Sequence, residues 1–234
     1  MSSRVLSVPN ALLNHLQTTV PNAQLIATPL PLTPDIQLWL VDPSLFQTRL
    51  PESVVAAVFD EPAYWSFCWA SGQVLAAQIL ANPHWVKGKT VVDFGCGSAV
   101  VAIAAAMAGA ANAIACDLDH GACLSAAANA ELNNVDIIVA QNINHIQWPN
   151  NQPKADVLFA ADVLYDPDNF PLLDAFSQWG EAICIADSRV KNFNHQRYAR
   201  IAEHRATSHP DMGELEEYSF VKLYANDNFS NNHL

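Results

Sequence analysis

The chain has 234 residues, 51% of them apolar, and a formal net charge of −12. That length and apolar fraction exclude a disordered chain and allow one sizeable core, or one domain with an N-terminal addition. Its 11 Lys and Arg are dispersed, which argues against a nucleic-acid partner, whereas a basic protein or a small cation suits the charge.

The chain opens Met-Ser-Ser-Arg-Val-Leu, with no apolar h-region and no small-residue cleavage site, so a cytoplasmic location is expected. Leu12, Leu13, Leu16 and Val20 follow Pro9 at helical spacing, and Pro21 ends that helix. Gln24 to Ala27 and Ile36 to Val41 read as strands of a hairpin, joined through Pro29, Pro31 and Pro34. Residues 1–62 are therefore expected to form a helix-and-hairpin extension. A helix over Gln73 to Leu80 leads to Pro83, and Lys87-Gly88-Lys89 introduces the first buried strand.

From there the expected order is strand Thr90 to Asp93, helix Val100 to Ala108, strand Ala113 to Cys116, helix Gly121 to Asn133 and strand Asp136 to Ala140. It continues with strand Asp156 to Ala161, helix Phe170 to Trp179, strand Ala182 to Ala186, a helix near Asn192 to His204, and a last strand, Tyr218 to Ala225, expected to run antiparallel. Wholly apolar strands separated by helices imply an α/β fold with a parallel sheet covered on both faces. Residues 63–225 form this main domain, and the polar 226–234 are expected to fray. Ala99 to Cys116 carries no charge but is mostly alanine, broken by Gly109 and Asn112, and reads as helix, loop and strand; no membrane partner is expected. The five cysteines have no spacing suited to zinc and read as reduced core thiols, and the eight histidines include no metal-binding pair, so no metal is expected.

Two segments carry the chemistry. Val91 to Ala99 read Val-Val-Asp-Phe-Gly-Cys-Gly-Ser-Ala, and Asp117-Leu118-Asp119 follows about one βαβ unit later. Gly95 and Gly97 let a turn bring its backbone against a ligand. An acid before the first glycine would repel a pyrophosphate but hold a cationic amino group. The implied cofactor is S-adenosylmethionine. Backbone near Gly95, Gly97 and Ser98 would meet its methionine part, with Asp93 near the ammonium. Asp117 would accept from the ribose hydroxyls, with Leu118 beside it, and Asn142 would meet the adenine edge.

With these residues, Tyr64 to Ala225 resembles the seven-β-strand S-adenosylmethionine-dependent methyltransferases. Within them it is most similar to the protein-lysine group that includes the electron-transfer-flavoprotein β-subunit lysine methyltransferase and its bacterial relatives. Tyr64 to Gln73, the Asp93 to Ala99 loop and Asp162-Val163-Leu164-Tyr165 carry that likeness. It implies a Rossmann-like doubly wound, seven-stranded sheet, Trp69 close to the cofactor, and the methyl transferred beside Asp162. Two departures stand out. Ala99 occupies the family's third glycine position, where a helical backbone would carry the extra methyl cheaply. Asp187-Ser188-Arg189 stands where relatives carry proline and glycine before the arginine.

A methyl on a sulfonium is already activated, so the acceptor need only be a neutral nucleophile held in line behind it. Asp162 would position an amine nitrogen, and Tyr165 would wall the pocket. These readings make the chain an N-methyltransferase acting on protein lysine. The alternatives are a small-molecule N-methyltransferase for a nicotinamide-like or other amine, and a cofactor-binding module without catalysis.

Overall fold

A computed structural model describes residues 7–47 and 49–233; the opening Met1 to Leu6, on which the expected location rests, lies outside them. Helix α1 (Asn10–Thr19) precedes an antiparallel hairpin of β1 (Leu25–Pro29) and β2 (Gln37–Val41). The extension also contains α2 (Glu52–Asp60), which the sequence pattern did not single out and none of whose residues is buried. Then follow α3 (Ala70–Ala81), β3 (Thr90–Phe94), α4 (Val100–Met107), β4 (Asn112–Cys116), α5 (His120–Leu132), β5 (Ile138–Ala140) and β6 (Ala155–Ala161). The chain closes with α6 (Leu172–Trp179), β7 (Gly180–Asp187), β8 (Ala199–Arg205), β9 (Phe220–Ala225) and α7 (Asp227–His233).

The main sheet has seven strands in the order β5-β4-β3-β6-β7-β9-β8. Strands β3 to β7 run parallel, and β9 runs antiparallel to both of its neighbours. One face buries Val91, Val157, Phe159 and Cys184 against α3 and α4. On the other, Leu158, Ile183 and Ile185 pack on Leu173 and Phe176 of α6 and on Tyr198. The strand order reverses between β3 and β6, so a crevice opens above their carboxyl ends.

Two expectations are corrected. The segment expected as a helix near Asn192 to His204 instead supplies β8, the seventh strand. Pairing with β9 (His204 opposite Val221) overrides its local helical preference, and a register shift between Arg200 and Ala202 breaks the alternation that would have marked a strand. Its Arg200 and Glu203 also keep an exposed sheet edge charged. The expected frayed tail is instead α7. Asn226 accepts from the amides of Ile183 (2.9 Å) and Phe229 (3.0 Å), and Phe229 is fully buried against Trp85. Burying such a ring contributes about 2 to 3 kcal/mol, enough to order a short polar helix.

The extension is joined to the main domain by α5. Leu12 and Leu16 pack with Ala122 and Trp65. Asn129 Oδ1 accepts from the Trp39 amide (2.7 Å), and Asn133 Oδ1 from that of Gln37 (2.9 Å).

Candidate active site

Near the carboxyl end of β3 stands Asp93, 2% exposed, whose Oδ2 accepts from the Ala102 amide at 3.0 Å in the first turn of α4. Burial pushes this carboxyl up to about 8, against the pull of that amide. The loop then folds back on β4, with the amides of Gly95 and Cys96 donating to the Cys116 carbonyl at 2.8 and 3.1 Å. Gly95 has φ +65, and a Cβ there would lie 2.7 Å from Val163 Cγ1, so the loops after β3 and β6 touch only because no side chain intervenes. Ala99 has φ 61 and is fully buried. Its backbone is left-handed, not the right-handed helix under which the missing glycine would cost little, so alanine carries strain of about 1 kcal/mol. Its buried methyl against Ala102 and Ala115 offsets part of that.

Asp117 follows β4. Its Oδ2 accepts from the Gly97 amide (2.9 Å) and its Oδ1 from that of Asp119 (3.0 Å), while Asp119 caps α5. Burial raises the Asp117 carboxyl, opposed by the Gly97 amide. Leu118 and Asn142 line one groove of about 670 Å³ with Gln141 and His145. Asn142 Oδ1 already accepts from the Asn144 amide (2.9 Å), which leaves its amide nitrogen as the group for a ligand. Asp93, Gly95, Gly97, Ser98 and Asp117 are thus brought together, with Leu118 and Asn142 along one flank. Buried Asn129, missed in the sequence, donates to the Ser98 carbonyl (3.0 Å) and so ties the loop to the hairpin.

Asp162 follows β6 with φ 51. Its Oδ1 accepts from the Ser71 hydroxyl (2.7 Å) and from the amide and hydroxyl of Ser188 (both 2.9 Å); Oδ2 accepts from the Ser71 amide (3.1 Å). The carboxylate expected to meet the acceptor nitrogen is therefore engaged by four donors of the protein itself. It clamps α3 to the end of β7. Both serines stood inside segments already singled out, but neither their pairing nor its target was visible without the fold.

Above this clamp runs an aromatic arc. Tyr165, 57% exposed, lies 5.5 Å from Tyr64, Tyr64 lies 5.7 Å from Trp69, and Trp69 lies 5.7 Å from Phe67. The Trp69 indole donates to the Tyr64 carbonyl (2.9 Å). Arg189 stacks over Trp69 and Tyr218 and pairs with Glu214, binding the β8–β9 connection to the arc. Burial, then Tyr64, raises the Tyr165 hydroxyl.

The donor set fits S-adenosylmethionine: a half-buried acid beside a glycine amide, an open flank for a base, and a space at Gly97 where a Cβ would meet nothing nearer than Trp65 Cα at 3.9 Å. Comparison with known proteins agrees. The sequence model of the ribosomal protein L11 methyltransferase (PrmA) family matches residues 75–167. The electron transfer flavoprotein beta subunit lysine methyltransferase of Danio rerio is 36% identical over 200 residues, covering 81% of this chain and 74% of the relative. That of Rattus norvegicus is 34% identical, covering 74% and 69%. The Homo sapiens protein is 37% identical over 63% of this chain, a stretch spanning 53% of its own length. Among solved structures, SMU.776 complexed with SAH shares the fold with a TM-score of 0.55 at 14% identity, covering 88% of this chain and 56% of that one.

Proposed function

The chain belongs to the electron transfer flavoprotein β-subunit lysine methyltransferase family within the S-adenosylmethionine-dependent class I methyltransferases, and from that membership we propose that its acceptor is a lysine side chain of a partner protein. One observation carries the reading. Between Lys89 and Arg189 the only Lys or Arg is Lys154, which precedes β6 at its amino end. The carboxyl ends of the strands and the loops that follow them meanwhile carry Asp93, Asp117, Asp119, Asp162, Asp166, Asp168 and Asp187. A cation is drawn to that edge and a phosphate repelled, so nucleic acid stays outside the proposal.

Bound there, the cofactor supplies an electrophilic methyl. In this reading Gly95 to Ser98 receive its methionine part, with Asp93 near the ammonium; Asp117 takes the ribose hydroxyls, and Leu118 and Asn142 flank the adenine. Trp69 covers the cofactor. Tyr64 and Tyr165 offer ring faces to an arriving alkylammonium, while Asp162 holds the pocket floor in place through Ser71 and Ser188. The exposed arc favours a side chain presented by a protein over a small amine enclosed in a deep cavity. A cytoplasmic, reducing setting belongs to the same proposal, supported by five free cysteines, four of them buried.

The test is to incubate the protein with methyl-labelled cofactor, purified electron transfer flavoprotein and a cell extract, and to map label by mass spectrometry of tryptic peptides. Label on lysine is expected. Label confined to small molecules would overturn the reading in favour of an amine acceptor, and cofactor binding without turnover would favour the non-catalytic module.

A further inference from the structure

Strands β6 and β7 are parallel neighbours with Ala161 opposite Ala186, so Asp162 and Asp187 stand side by side at the carboxyl edge. The Asp162 amide donates to the Ala186 carbonyl at 2.9 Å, and Ser188 reaches back to the Asp162 carboxylate. Their carboxylates differ in one respect. Asp162 accepts four bonds. Asp187 Oδ1 accepts from the amides of Arg189 (2.8 Å) and Val190 (2.6 Å), but Oδ2 is buried and has no partner among the described residues. The residue is 1% exposed. The nearby cation, Arg189, is directed to Glu214 and to the rings of Trp69 and Tyr218.

A buried carboxylate oxygen left without a donor costs free energy in the resting protein. The strain is visible in its ionisation, which burial and then the Asp162 charge push up to about 6. An ammonium is the donor that relieves both, since it brings hydrogen bonds and a compensating charge. Resting on the lysine reading above, we propose that Asp187 Oδ2, not Asp162, is the carboxylate at this edge that accepts a hydrogen bond from the ammonium of the arriving lysine. Asp162 keeps the neighbouring serines out of its way. Ser188 supplies two of the donors that hold Asp162, while Arg189 closes the rim.

The test compares wild type with the isosteric Asp187→Asn, using electron transfer flavoprotein as acceptor and n-butylammonium as a small probe. Asp187→Asn should raise KM for the protein acceptor by about tenfold or more, the loss of one charge-assisted bond. Cofactor affinity and melting temperature should hold. In wild type saturated with S-adenosylhomocysteine, n-butylammonium should raise the melting temperature and lower the ionisation midpoint of Asp187, read by carboxyl carbon NMR. The thermal shift should vanish in the variant, and the NMR arm needs no substitution. An unchanged KM with an unchanged butylammonium response overturns the proposal, as does a variant whose losses track a fallen melting temperature while wild-type Asp187 ignores the probe. If wild type labels no lysine yet Asp187 responds to the probe, the lysine reading fails and the ammonium site stands.

Discussion

At the amino ends of the parallel strands, charge is answered by opposite charge or by backbone. Lys154 pairs with Glu181, Lys89 donates to the Trp85 carbonyl (3.0 Å), and Asp156 takes the Thr90 amide (2.7 Å). At the carboxyl ends the acids have amides and hydroxyls as partners: Asp93 takes Ala102, Asp117 takes Gly97, Asp162 takes Ser71 and Ser188, and Asp187 takes Arg189 and Val190 through their amides. Dipoles hold those side chains in place without supplying an opposite charge. The amino edge is electrostatically finished when the chain has folded, whereas the carboxyl edge, in the reading proposed above, is completed by a cationic ligand.

The strongest test of that contrast is Asp162→Ala. It strands the Ser71 and Ser188 amides, with their hydroxyls, in a buried setting, and should cost about 2 to 4 kcal/mol of stability by chemical denaturation. A loss below about 1 kcal/mol would show that the clamp between α3 and β7 is not structural.

Next comes Asp117→Ala. Removing the proposed acceptor for the ribose hydroxyls, and freeing the Gly97 amide, should weaken S-adenosylmethionine binding by about 1 to 3 kcal/mol in calorimetry. Stability should change less, because Asp117 is only half-buried. Equal losses in both would make it a loop staple like Asp162, and the division between holding the fold and holding the ligand would fail there.

A gentler probe is pH. The Asp93 carboxyl ionises at about 8 in the fold against 3.8 for the free group. The folded state therefore binds the extra proton between those values, and stability from this group is full below the lower one and lost as pH rises through the upper. Between pH 6 and 8 the apo protein should lose stability with a slope of at most about 1.4 kcal/mol per pH unit from this group. Asp93→Asn should flatten the profile, read as melting temperature against pH. An unaltered slope would mean that Asp93 is already ionised in the apo protein.

Much of this organisation was legible in the chain. The five parallel strands emerged from apolar runs separated by helices, and acid-glycine spacing located the loop, because a buried strand and a bend without side chains leave strong local signals. What escaped was decided by partners distant in sequence. Strand β8 is a strand because β9 lies beside it, and α7 is a helix because Phe229 finds Trp85. Asp162 was visible as an acid at a strand end, but its saturation by Ser71 and Ser188, 91 and 26 residues away, belongs to the fold. Ala99 looked harmless because sequence reports a methyl and not a φ angle.

The smallest expected effect lies at the opposite edge and is the sharpest control. Lys154 is the one Lys or Arg between Lys89 and Arg189, so a mere excess of acid would make its removal strengthen attraction for a cationic acceptor. Geometry predicts otherwise. Eight residues of extended chain put Lys154 about 26 Å from Asp162, more than two Debye lengths at physiological salt, where screening removes most of its field. Its pairing with Glu181 is itself part-exposed, 31% and 55%, and such pairs contribute at most about 1 kcal/mol. Lys154→Ala should therefore lower stability by no more than that and leave KM for a lysine acceptor unchanged at physiological salt. A KM shift comparable to that of Asp187→Asn would mean that the chain's total charge, and not the placement of its acids, governs how the acceptor is drawn in.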